Sequence, residues 1–170
     1  YTDFTFIINF TNAPSISVLG GTPTQPVPNG QTVPTSETGT SYGTVTAGAM
    51  TSRNYVIVNT GTCSLDLQGI TSLLYDPATA VTVGVSPDFS IYIHPTPDTS
   101  APGTDTSNVI APGGASYFGV LFYPQSPGIR SAIISIPSND ATKNPYTFVV
   151  SGEVYNPNVT GPGGGNPDFR

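Results

Sequence analysis

Reactive and charged side chains are scarce in this chain of 170 residues. It has one histidine, one cysteine and four basic residues, and charged side chains make up 8% of it. Each shortage removes a class of chemistry. A single cysteine, Cys63, leaves no intramolecular disulfide, and Cys63 with the single histidine cannot build a zinc cage. A Ser-His-Asp or Cys-His pair has only His94 to build on. That residue closes Ile91-Tyr92-Ile93-His94 against Pro95 and reads as a solvated strand end. Asp88, Asp98 and Asp105 are spread through loop stretches, without the rigid separation of a glycosidase pair. Gly113-Gly114 lacks the strand-to-helix setting of a phosphate loop, and Asp140 lacks the dense Asp-x-Asp spacing of a calcium loop. The only lysine, Lys143, sits in a polar turn before Asn144-Pro145, where a self-crosslinking lysine is not expected. No catalytic residue, cofactor or metal site is therefore expected. A formal net charge of −6 with four basic residues speaks against nucleic acid and against an anionic membrane surface as partners. No run approaches the ~20 apolar residues of a membrane helix, so membrane insertion is not expected either.

What the chain has in quantity is glycine, 19 residues, and proline, 18. These punctuate short β-type runs. Alternation and β-branched or aromatic content predict strands at Phe4–Phe10, Ser15–Leu19, Ser41–Val45, Arg53–Asn59, Ser64–Leu73 and Ala80–Val85. Further strands are predicted at Phe89–Ile93, Ala115–Tyr123, Ile129–Ile136 and Pro145–Val154. No window has a convincing helical period. Alternate positions nominate Tyr55, Ile57, Leu65, Leu67, Phe118, Val120, Phe122, Ile134, Ile136, Phe148 and Val150 for two inner faces. Pro124 to Gly128 reads as the turn of a hairpin pairing Tyr117–Tyr123 with Ile129–Ile136. Asn59-Thr60-Gly61-Thr62 reads as a hairpin turn with Gly61 at positive φ. Ser138-Asn139-Asp140 is expected to cap backbone amides of its own loop, and Cys63 to be a small buried hydrophobe. Gly20 to Thr40, Pro95 to Asn108 and the tail Asn156 to Arg170 read as irregular.

The order and spacing of several motifs resemble one family. Pro14-Ser15-Ile16-Ser17-Val18 and Val33-Pro34-Thr35-Ser36 open the match. Tyr42-Gly43-Thr44-Val45 with Gly48, Tyr55-Val56-Ile57-Val58-Asn59-Thr60-Gly61, Leu65-Asp66-Leu67 and Ile70 follow. Ile110-Ala111-Pro112-Gly113, Phe122-Tyr123-Pro124 with Gly128, Ser138-Asn139-Asp140 and Asn144-Pro145-Tyr146-Thr147-Phe148 with Gly152 complete it. The chain resembles, from about Pro14 to Tyr155, the choice-of-anchor D domain of secreted bacterial proteins, a relative of the Hydin-like immunoglobulin-like modules. The resemblance implies an all-β, immunoglobulin-like antiparallel β-sandwich in a larger surface or secreted protein, with no catalytic residues to carry over. It gives the expected division: an N-terminal strand in 1–13, the sandwich in 14–155 and a Gly/Pro-rich tail or linker in 156–170.

The N-terminal strand precedes the match and is not required by it. Phe4, Phe6, Ile8 and Phe10 share one face, with Thr5, Ile7 and Asn9 on the other. Such a strand aggregates unless it is paired. Two pairings are open: within its own sandwich or a preceding repeat, or as a donor strand to a neighbouring subunit. The expected role is a structural, non-catalytic subunit or stalk module of an extracellular bacterial filament or surface assembly. Phe4, Phe6, Ile8 and Phe10 are then the subunit interface, buried in the core of another copy, and copies of the chain itself are the partners. The alternative is an adhesin-like module binding glycans or other surface proteins, with Tyr42, Tyr75, Tyr92, Tyr123 and Tyr155 as stacking faces. Asn9-Phe10-Thr11 and Asn158-Val159-Thr160 are glycosylation sequons, relevant only where the source modifies them.

Overall fold

Period-2 alternation becomes strand throughout. The computed structural model describes residues 12–76, 81–97 and 108–155, and these contain strands and no helix. One sheet comprises β1 (Ile16–Gly20), β2 (Gln25–Val27), β4 (Thr51–Asn59), β8 (Phe89–Pro97) and β10 (Ala115–Phe122), in the order β2-β1-β4-β10-β8. The second comprises β3 (Ser41–Thr46), β6 (Thr71–Asp76), β7 (Val81–Val85), β11 (Gly128–Ile136) and β12 (Tyr146–Tyr155), in the order β3-β12-β11-β6-β7. Two short strands, β5 (Leu65–Asp66) and β9 (Val109–Ile110), pair with each other. The chain is an all-β immunoglobulin-like sandwich. The N-terminal strand Phe4–Phe10 and the tail lie outside the described residues.

Every inner-face residue named from alternation is in the core. Tyr55, Ile57, Leu65, Phe118, Val120, Phe122, Ile134, Ile136, Phe148 and Val150 are fully buried, and Leu67 nearly so. The sheets join through two aromatic groups. Tyr55 stacks on Phe118 with centroids 5.2 Å apart and meets Phe148 at 5.2 Å. Phe89 stacks on Phe122 at 4.3 Å, and Tyr42 meets both rings edge-on. Each buried side chain of this size contributes about 1.5–3 kcal/mol relative to exposure.

Several connections differ from expectation. β10 and β11 do not form a hairpin. β10 pairs with β4 and β8, whereas β11 pairs with β12 and β6. Pro124 to Pro127 therefore carries the chain across the sandwich, a route for which the same breaker residues serve. The expected run Ser64–Leu73 is two strands in different sheets, interrupted around Gly69, whose φ is 107°. The sandwich is not wholly antiparallel, because β3 runs parallel to β12. The connection before β3 crosses from the first sheet to the edge of the second, so β3 enters in the same direction as β12.

Gly20 to Thr40 is not irregular throughout. It contains β2 and a cluster in which the Thr40 hydroxyl accepts from Thr35 N (2.9 Å) and Gln31 Nε2 (3.1 Å). Proline is tolerated in β2 because it is an edge strand. Gly61 is not at positive φ. A side chain there would run into the backbone of Ala13 to Ser15, so close approach of two chain segments requires the glycine. Cys63 is half-buried rather than a core residue.

Candidate functional site: a polar latch and the sheet edges

The strongest polar constellation is the loop between β11 and β12. Asp140 is 1% exposed. Its Oδ1 accepts from Thr142 N (2.9 Å) and Thr142 Oγ1 (2.7 Å), and its Oδ2 accepts from Ile16 N (3.0 Å). Lys143 Nζ donates to Ile16 O (2.7 Å) and Ser15 Oγ (3.2 Å). The register of β1 explains the target. Ile16 pairs with Asn59 of β4 on one side, while β2 pairs only with Val18 to Gly20 on the other. The outward N–H and C=O of Ile16 are thus an open edge, and the two side chains close it. Burial alone would raise the Asp140 pKa. Hydrogen bonds from Thr142 and Ile16 and the charge of Lys143 outweigh it and hold the carboxyl below its ordinary range. The expected capping by this loop is present, and it reaches across the sandwich as well as along its own backbone.

Neighbouring asparagines extend the latch. Asn59, fully buried, donates to Cys63 O (2.8 Å) and Ile110 O (2.9 Å) and accepts from Gly61 N (3.0 Å) and Ser15 N (3.3 Å). Asn139 Oδ1 accepts from Asp66 N (2.9 Å) and its Nδ2 donates to Ser64 O (3.1 Å). Ala13 O accepts from Thr62 N at 2.9 Å, which docks the start of the described chain beside the β4–β5 connection. This is an organising network. Among the described residues no group of three or more His, Cys, Asp or Glu side chains is placed to hold a metal.

Phe4, Phe6, Ile8 and Phe10, the expected interface, lie outside the described residues, as do Asp98 and Asp105. His94 falls within β8, and its side chain is likewise outside them. Asp88 is nearly buried and lies 3.9 Å from Arg130 Nε. Of the tyrosines proposed as stacking faces, two are withdrawn from solvent. Tyr42 is 4% exposed, its hydroxyl donating to Val120 O (3.0 Å), and Tyr75 is 8% exposed. Burial pushes the Tyr42 phenol far above its ordinary pKa, with the neighbouring Tyr55 adding to the effect. Tyr92, Tyr123 and Tyr155 are exposed, as is Tyr117, which alternation left unremarked. Among the described residues the sheet edges are β2 and β8 in the first sheet, β3 and β7 in the second. β8, with nine residues, is the longest.

No family model and no curated protein matches the sequence. Among solved structures, a protein of unknown function from Porphyromonas gingivalis W83 is similar, with TM-score 0.53 and 19% identity over 85% of this chain and 50% of that one. The ASH/PapD-like domain 7 of human CEP192 gives TM-score 0.49 at 10% identity, covering 91% of this chain and 94% of that one. The VesB protease of Vibrio cholerae gives TM-score 0.45 at 14% identity, covering 85% of this chain and 32% of the protease. The chain spans half the length of the Porphyromonas protein. The finer resemblance to choice-of-anchor D modules rests on sequence motifs alone, and what the chain shares with known structures is the immunoglobulin-like β-sandwich.

Proposed function

We propose that the chain is a structural, non-catalytic module of an extracellular bacterial filament or surface assembly, held together by strand exchange between copies. One observation supports this reading: β8 runs for nine residues at the edge of the first sheet, paired among the described residues only with β10. Phe4, Phe6, Ile8 and Phe10 share one face of a strand that the motif match does not require. In this reading the strand adds at a sheet edge of another copy. β8 offers the longest ladder, nine residues against the seven of Phe4–Phe10. Burying four such side chains between copies contributes about 1.5–3 kcal/mol each before ordering costs. A head-to-tail contact that does not close grows into a fibre.

The reading is tested by deleting residues 1–11 and comparing polymers by electron microscopy and sedimentation. The expected product is a folded monomer with the thermal stability of the sandwich. Polymers that persist after the deletion contradict the proposal. Hydrolase activity abolished by substituting a single polar residue would overturn the non-catalytic part.

A further inference from the structure

The outer face of the first sheet carries an aromatic pair that the core does not use. Its centre is Tyr92. Val120 pairs with Ile91 and Gly119 with Ile93, so one step along β10 spans two along β8 and Tyr92 is the bulged residue. A bulge re-aims the side chain it carries. Here the ring lies across β10 at Gly119, where any side chain would collide with it. The Tyr92 hydroxyl reaches β4 and donates to Asn54 Oδ1 at 2.9 Å. The ring is thus laid flat, supported from below and tied at its far end, yet Tyr92 stays 42% exposed.

Covering a sheet glycine accounts for a ring at this place. It does not account for Tyr117. That residue lies two positions before Gly119 on β10, projects from the same face and is 52% exposed. The two aromatic positions are about 7 Å apart along the strand. Leu19, Val56 and Leu121 continue the face, each half-buried, and Val56 sits directly opposite both Tyr117 and Leu19. No charged side chain projects from it among the described residues, in a chain of net charge −6. A polyanion is repelled by that net charge, and a polycation finds no carboxylate on this face. An uncharged ligand with flat apolar faces and hydroxyl groups matches both aspects.

We propose that Tyr92 and Tyr117 form a stacking platform for neighbouring rings of an extended, uncharged glycan. Asn54 positions the Tyr92 ring, and its Nδ2, without a hydrogen-bond partner among the described residues, donates to a sugar hydroxyl. A ring immobilised before binding loses little freedom when the ligand arrives, which favours affinity from few contacts. The site is separate from the strand-exchange reading and stands or falls independently of it.

The test is affinity electrophoresis and calorimetry on the whole chain with hexaoses of β-1,4-linked glucose, N-acetylglucosamine, xylose and mannose. At least one is expected to bind. Tyr92→Ala and Tyr117→Ala should each weaken that binding tenfold or more, while Tyr117→Phe retains it. Asn54→Ala keeps the ring but frees it, and should weaken binding a few-fold with an unchanged melting temperature, so that a folding defect in Tyr92→Ala does not obscure the result. No binding to any of the four overturns the proposal, as does binding that survives both tyrosine-to-alanine changes. Self-association lost in these variants without any glycan effect also overturns it, and points to a protein on this face.

Discussion

The two flanks of the first sheet are treated in opposite ways. On one flank, the unpaired half of β1 is sealed by side chains from the far sheet: Asp140 takes the Ile16 amide and Lys143 its carbonyl. On the other, β8 runs for nine residues as an edge paired, among the described residues, only with β10, bulged at Tyr92 and bearing an exposed ring. Edge strands invite pairing with other chains, and proteins blunt them where pairing is unwanted. The contrast teaches that closing an edge here takes dedicated charged side chains from β11–β12. An edge lacking them is, in the proposed reading, where a partner strand adds.

Removing what both flanks share should have the largest effect. Phe118 stands on β10, stacked on Tyr55 and fully buried. Phe118→Ala should cost about 3–5 kcal/mol, read by denaturant unfolding. On the sealed flank, Asp140→Ala strands the Ile16 amide and removes the Thr142 contacts, at about 2–4 kcal/mol. The same carboxylate gives a pH signature. Its folded pKa lies below the ordinary value, so its contribution is complete above the unfolded pKa and is lost as pH falls through the folded one. Wild-type stability should therefore decline on acidification into the low carboxylate range, and the part due to Asp140 should vanish from Asp140→Ala. Lys143→Met leaves the Ile16 carbonyl without its donor and should cost about 1 kcal/mol. On the open flank, Tyr92→Phe removes only the tie to Asn54 and should change stability by about 0.5 kcal/mol or less. A Tyr92→Phe penalty as large as that of Asp140→Ala would erase the distinction between the flanks.

What was legible in the sequence follows the same physics. Tyr55, Ile57, Phe118 and Phe148 were readable as core because alternation is set by the strand itself. The crossing at Pro124 to Pro127 was not, since breaker residues end a strand without saying which sheet receives the next one. Tyr42 looked available for stacking because its own strand is flanked by glycine and threonine. Its burial comes from Phe89 and Phe122, which arrive from strands much later in the chain. Asp140 was legible as a cap of its own loop but not as the partner of Ile16, 124 positions away. Gly61 and Gly119 are alike in this respect, because both are demanded by a neighbour's approach rather than by their own turn. Tyr92 was legible as a stacking face, but its setting was not, as it needs a bulge, a glycine and an asparagine from three strands.

The central claim is that residues 4–10 of one copy lie along β8 of another. It is tested most directly by cross-linking a chain carrying Cys63→Ser, Ile8→Cys and Ser90→Cys, oxidised in the assembled state and separated on a non-reducing denaturing gel. Pairing between copies predicts a ladder of covalent multimers that collapses to monomer on reduction. A monomer bridged within its own chain, with no ladder, would contradict it.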